Sequence, residues 1–203
     1  MDKEHFNIEN NENDIAQETS QQSVPVQAFD YKKEIREWVQ AIVIALVIAL
    51  VIRTFVFSLI RVDGQSMVPT LNHNDRLIVV KLMYKPKQGD VIILTPPMHK
   101  DTPYVKRVIA LPGQTVDIDF ENHVVKVDGK PLSEPYINEP IAQRGDVKFP
   151  QTVPEDTVFV LGDNRNNSRD SRYSDVGMVP FKAVMGKASL RIWPLNRFGS
   201  IYH

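Results

Sequence analysis

An apolar run from Ala41 to Ile52 constrains this 203-residue chain more than any other stretch. The run alone falls short of the roughly 20 residues that a bilayer-spanning helix needs. Arg53 interrupts it and Thr54–Ile60 continues it, so that counting from Trp38 to about Phe57 reaches that length. Trp38 suits one membrane interface, and Arg53 can extend its charge toward the headgroups at the other. Ile and Val cover every helical face, which argues against a core helix with one buried stripe. The polar region ahead of it is too long for a signal peptide, and no small-x-small cleavage site follows. Residues 38–60 are therefore expected to form a retained transmembrane anchor. Lys32, Lys33 and Arg36 precede it, so residues 1–37 are expected in the cytoplasm and residues from about 61 outside. Arg53 and Arg61, on the far side, pull against that orientation.

The flanks of the anchor differ in character. Residues 1 to about 30 are rich in Asn, Glu, Gln and Ser and cannot bury enough surface to offset the cost of ordering, so a disordered tail is expected. Beyond the anchor the pattern is β. Arg76–Lys81, Asp90–Leu94 and Thr157–Leu161 are short runs rich in Val and Ile. Val116, Ile118 and Phe120 alternate with acids and lead through Glu121-Asn122-His123 into Val124–Val127, closed by Asp128-Gly129, which reads as a hairpin and a second turn. Helical periodicity is absent apart from a possible turn near Phe181–Met185. The fold class is mostly β: an antiparallel sheet domain behind one transmembrane helix. The net charge of −1 gives no global bias toward nucleic acid. The absence of cysteine excludes a thiol nucleophile, a Cys-based zinc site and a disulfide framework.

Three segments beyond the anchor carry candidate chemistry. Ser66 lies between Gly64, which permits unusual backbone angles, and Val68-Pro69, which favours extended geometry. That makes a stiff turn bearing one hydroxyl, or an ordinary surface turn. The Gly-x-Ser-x-Gly elbow is not present. On a strand through Tyr104–Leu111, Lys106 shares a face with Tyr104, Val108 and Ala110, and Arg107 shares the other with Val105 and Ile109. Either the strand lies at an edge with both cations in solvent, or Lys106 is buried and neutral, a competent base for a serine hydroxyl. Gly162–Arg172 is dense in turn-forming and charged residues; it fails the calcium-loop pattern, and its Asn166-Asn167-Ser168 sequon carries no weight. None of the histidines at 5, 73, 99, 123 and 203 falls in His-Glu-x-x-His spacing, and a Ser-His-Asp triad is possible but has no motif behind it.

In order, the anchor, Ser66-Met67-Val68-Pro69-Thr70-Leu71, Lys106-Arg107-Val108 through Leu111-Pro112-Gly113, and Gly162-Asp163-Asn164-Arg165 through Ser168-Arg169-Asp170-Ser171-Arg172 resemble bacterial type I signal peptidase, in the single-anchor form found in Gram-positive bacteria. The resemblance runs from about residue 38 to the C-terminus and includes Gly186-Lys187-Ala188 and Arg191-x-Trp193-Pro194. It implies a membrane-bound serine endopeptidase that removes signal peptides from exported preproteins with a Ser/Lys dyad. Ser66 matches the nucleophile, Lys106 the general base, and Ser168 the residue that orients the lysine amine. Asp170 and Arg172 match a structural charged pair, and Arg165 a site-shaping residue. Val62, Met67, Leu71, Tyr104 and Val105 would line the pocket for a small residue before the cut. The implied domain at 61–203 has a smaller β region, about 113–156, inserted between the lysine and the last motif. Preproteins, membrane lipid and the nearby export translocon are the implied partners; no cofactor, metal or nucleic acid is expected. Two positions depart from the family pattern. Gly64 stands where some members carry a hydroxyl that binds the oxyanion, leaving backbone donors such as the Ser66 N–H. Asn166 stands where many carry Asp. A self-cleaving repressor-type protease would need a DNA-binding helical head in place of the anchor. A membrane-tethered binding module with a dead site is at odds with intact Ser66, Lys106 and Ser168.

Overall fold

The computed structural model describes residues 31–98 and 102–202. Residues 1–30, read above as a tail, lie outside the described residues, as do His5, His99 and His203. Contacts divide the chain into one unit up to Ile44 and a second from Ala45 onward.

Helix α1 (Tyr31–Val51) buries none of its residues, and its apolar side chains from Val39 to Val51 are exposed. A π-helical turn, Ile52–Val56, follows. Together they span 26 residues, about 39 Å at 1.5 Å per residue, long and apolar enough to cross a membrane. The helix differs from the expected anchor at both ends. It begins at Tyr31, taking in the charged collar, and helical structure stops at Val56. Residues 57–60 belong instead to strand β1 (Phe57–Arg61), in which Ser58 and Ile60 turn inward while Phe57, Leu59 and Arg61 face out. That alternation is a strand period, hidden in the sequence by the apolar run before it.

The remaining strands are β2 (Arg76–Val80), β3 (Val91–Leu94), β4 (Tyr104–Ala110), β5 (Thr115–Asp119), β6 (Val124–Val127), β7 (Lys130–Pro131), β8 (Gln151–Thr152), β9 (Thr157–Leu161), β10 (Val179–Pro180), β11 (Val184–Trp193) and β12 (Gly199–Ser200). They form two antiparallel sheets. The larger has the order β1-β2-β11-β3-β4-β9-β10, with β12 paired to β11. The smaller, β7-β6-β5-β8, is built from the chain between β4 and β9. Its hairpin sets Val116 opposite Val127 and Ile118 opposite Val125. Asp128 (φ 51°) and Gly129 (φ 74°) make the two-residue turn into β7 with the positive φ pair such turns require.

At β3 the larger sheet is buried on both faces. Val91 and Ile93 pack with Val62, Met67, Leu71, Leu77 and Val79, whereas Ile92 and Leu94 pack with Val108, Val158 and Val160. A third cluster joins the two sheets through Ile109, Ala110, Val116, Val125, Phe159 and Leu161, with Phe149 edge-on between Phe120 and Phe159. Each such aliphatic contributes about 1.5–3 kcal/mol over an exposed one. A register shift between Val108 and Ala110 lets the adjacent Ile109 and Ala110 enter the same cluster, so the strict two-residue alternation expected along β4 ends at Val108. Because β4 lies between β3 and β9, it is not an edge. Lys106 and Arg107 are both buried, which overturns the solvent-exposed reading of this strand.

Candidate active site

Ser66 sits in a tight turn leading out of β1. Gly64 (φ +94°) supplies the left-handed residue there, and its N–H donates to His73 Nδ1 at 3.2 Å. The Leu71 N–H closes the turn on Met67 O at 2.8 Å. Met67 and Leu71 anchor it in the core, leaving Ser66 half-buried at the surface. The loop that follows β9 holds the same turn from above. Asn164 donates through its backbone N–H to Ser66 O (3.0 Å) and through Nδ2 to Gln65 O (3.1 Å). A Cβ on Gly162 would overlap both Ser66 O and the Ser168 side chain, so only glycine admits this approach.

The β4 register opposite Ile92 brings Lys106 Nζ to 2.8 Å from Ser66 Oγ, with Val105 O accepting a second bond at 2.9 Å. The amine lies 5.2 Å from the centroid of the Tyr104 ring. Burial disfavours the ammonium and pushes the Lys106 pKa down to about 8. Asp170 and Asp163 pull the other way, and Arg172 pushes down further. Neither carboxylate is free to pair with the lysine. Asp170 is held by Arg172 at 2.8 and 2.9 Å, both side chains fully buried, and it also accepts the Gly162 N–H at 3.0 Å. Asp163 binds Arg107 through two bonds of 2.8 and 2.7 Å and accepts the Thr70 hydroxyl at 2.5 Å.

The expected site residues separate into three groups. Ser66 and Lys106 meet directly. Arg165, Asp170 and Arg172 form the frame of the loop, with Arg165 reaching Gly162 O at 3.0 Å and gripping Glu134 at 2.8 and 2.6 Å. Ser168 differs from expectation. Its hydroxyl is buried against this frame but forms no hydrogen bond to Lys106 or to any described residue; the amine is engaged by Ser66 and Val105 O instead. Asn166 accepts from the Ala142 and Gln143 N–H groups at 2.8 and 2.9 Å and donates to Pro140 O at 3.1 Å. It thus uses both ends of a neutral amide, which a carboxylate at this position could not do.

A cleft of about 560 Å³ opens over Ser66 and Lys106, walled by 59–67 on one side and 102–106 on the other. Val62, Met67, Tyr104 and Val105 line it. Leu71 does not: it is fully buried in the core cluster that contains Met67. Thr70, Arg107, Asp163, Asn164 and Glu134 also hold the site together, without a role that the sequence assigns them. The first four stand inside the quoted motifs, and that was their signal. Glu134 lies in a Pro-rich stretch without any.

A serine hydroxyl facing a buried amine that lacks a carboxylate partner, beneath an open cleft, is the geometry of a serine hydrolase whose base is lysine. The family described as signal peptidase, peptidase S26, matches residues 35–193. Signal peptidase I of Leptolyngbya laminosa is 41% identical over 178 residues, covering 82% of this chain and 84% of that protein. Signal peptidase I S of Bacillus subtilis is 40% identical over 176 residues, covering 81% and 92%. The chain belongs to this family, the bacterial type I signal peptidases.

Proposed function

We propose that this protein removes N-terminal signal peptides from exported preproteins, using Ser66 as nucleophile and Lys106 as general base. The observation that carries the reading is the 2.8 Å approach of Lys106 Nζ to Ser66 Oγ, with burial pushing the amine's pKa down to about 8. In the neutral form the amine accepts the Ser66 proton as Oγ attacks the scissile carbonyl. The Ser66 N–H is the backbone donor proposed for the developing oxyanion, since Gly64 offers no hydroxyl. The ammonium so formed protonates the departing amine of the mature protein. Lys106 then acts again as base, this time for the water that hydrolyses the ester on Ser66. A small side chain before the cut would enter the pocket of Val62, Met67, Tyr104 and Val105. Leu71 shapes that pocket from behind.

Ser168 keeps its proposed role as the group that orients Lys106. Its buried hydroxyl has unmet bonding capacity, and a protonated amine has a third N–H beyond those directed to Ser66 and Val105 O. The helix Tyr31–Val56 is proposed as a single membrane pass with the N-terminus in the cytoplasm, near the export translocon and in contact with lipid. Two experiments test the reading. Ser66→Ala should abolish cleavage of a preprotein and preserve the fold; normal turnover in that variant ends the proposal. Protease added to intact protoplasts should remove the domain, whereas its protection would reverse the orientation.

A further inference from the structure

Arg169 follows Ser168 in the loop after β9 and lines the cleft with Asn167, yet the reaction as derived gives it no part. Its guanidinium is held in place. Nε donates to Asp175 Oδ2 at 2.6 Å, and the group lies 4.7 Å from the centroid of the Tyr173 ring. Tyr173 is fixed in turn, its N–H donating to Asp170 O at 2.9 Å. The arginine side chain is nevertheless 52% exposed, whereas Asp175 is only 17% exposed and does not line the cleft. Among the described residues, no hydrogen bond engages the terminal NH1 and NH2 groups. The cleft's other charged side chains are engaged along its wall: Lys106 with Ser66 at 2.8 Å, Arg61 with Asn74 at 2.7 Å, and Asp63 at 3.2 Å from His73. The wall beside Asn167 therefore presents a positioned cation whose terminal N–H groups no described residue engages.

We propose that Arg169 forms a charge-selective subsite: within about three residues of the cut, an acidic substrate side chain is favoured and a basic one is rejected. The inference rests on the peptidase reading and concerns which peptides that same cleft prefers. An arginine pre-set by an ion pair and an aromatic face loses little freedom when it meets a carboxylate, and it repels an ammonium at the same distance.

The test uses the full chain in detergent micelles and a neutral peptide carrying a signal-type cut site. Asp, Ala or Lys replaces each of the three residues on either side of the cut. The readout is the Asp-to-Lys ratio of kcat/KM at each position for the wild type, Arg169→Gln and Arg169→Glu, with Ser66→Ala as blank. At one or two adjacent positions the wild-type ratio should be about tenfold and should shrink as salt is raised. It should fall to about one in Arg169→Gln and invert in Arg169→Glu. A flat wild-type ratio, or one unchanged in both variants, overturns the inference and leaves the peptidase reading standing. Equal loss on every peptide, with the ratio kept, overturns it too, because Arg169 then only holds the loop. If no peptide is cut in a Ser66-dependent way, the peptidase reading itself fails and the inference with it.

Discussion

Lys106 and Arg107 are neighbours on one interior strand, both buried, and their surroundings treat them in opposite ways. Arg107 meets a dedicated carboxylate: Asp163 accepts two of its N–H groups, Gly89 O accepts another at 2.8 Å, and the Tyr136 ring lies 3.9 Å from its guanidinium carbon. Lys106 meets a serine hydroxyl, a carbonyl and an aromatic ring, while the nearest carboxylates are already committed to arginines. A buried cation with a carboxylate is a brace. A buried amine without one is held near its deprotonation point, and that is what a base requires. The loop after β9 produces the difference, because its Asp163 and Asp170 each bring or find an arginine and so leave the lysine alone.

The sharpest way to break this contrast is to remove each cation separately. Lys106→Met should lower kcat/KM by roughly four to six orders of magnitude, as loss of a base in a nucleophile–base unit does. The same change should raise stability at neutral pH. A folded-state pKa of about 8, against 10.5 for the ordinary lysine, means that the unfolded chain binds protons more tightly. The charged form is therefore disfavoured in the fold by roughly 3 kcal/mol, a penalty present below pH 8 that fades as pH rises toward 10.5. Arg107→Met should do the reverse and destabilise by about 3–5 kcal/mol, since Asp163 is left buried without its cation. Urea melts of the two variants check the signs. If both destabilise equally, Lys106 is a brace like its neighbour.

Ser168 sharpens the contrast at the next level. If its hydroxyl orients the amine, Ser168→Ala should lower kcat by about 10–100-fold with KM little changed, because alignment is lost while the pocket is kept. Steady-state kinetics on a short substrate separates the two parameters. A change confined to KM would assign Ser168 to the pocket.

How far the site was legible follows the same physics. Ser66, Lys106 and the Asp170–Arg172 pair could be named because their motifs are local in the chain. The burial of Lys106 could not, because it depends on β3 and β9 arriving on either side of β4 from distant segments. Strand β11, the longest in the sheet, contains two of the family motifs but carries no legible strand period in the sequence. Its register shifts at Ala188/Leu190 and Arg191/Trp193, together with Gly186, break the alternation that marks a strand. β1 was absorbed into the anchor since Phe57–Ile60 prolongs the apolar run. Glu134 is the clearest case of missing information: nothing near it in sequence signals that Arg165, far along the chain, will need a carboxylate there. Asn166 was noted as a departure, but its use as a two-ended amide clamp on Pro140, Ala142 and Gln143 is visible only once the inserted segment folds back.

The smallest of these effects is also the one that reads the state of the amine directly. With its pKa lowered to about 8, Lys106 is neutral in roughly one molecule in eleven at pH 7 and in half at pH 8. Only the neutral amine accepts the Ser66 proton, so kcat/KM should climb through a limb centred near pH 8 and stand about tenfold higher on the plateau than at pH 7. The sign follows from desolvation as the leading cause: burial disfavours the charged form, so the proton leaves earlier than from an exposed lysine, whose limb would lie near about 10.4. A histidine base would give a limb near about 6.5 and a plateau already reached at neutrality. His73, which accepts the Gly64 N–H two residues before Ser66, is the histidine to exclude. In His73→Ala the limb near pH 8 should stay in place even if the turn loosens and the rate drops. A limb that moves to neutral pH in the wild type, or disappears with His73, would make the histidine the base. Lys106 would then join Arg107 as a buried structural cation, and the distinction between the two would be lost.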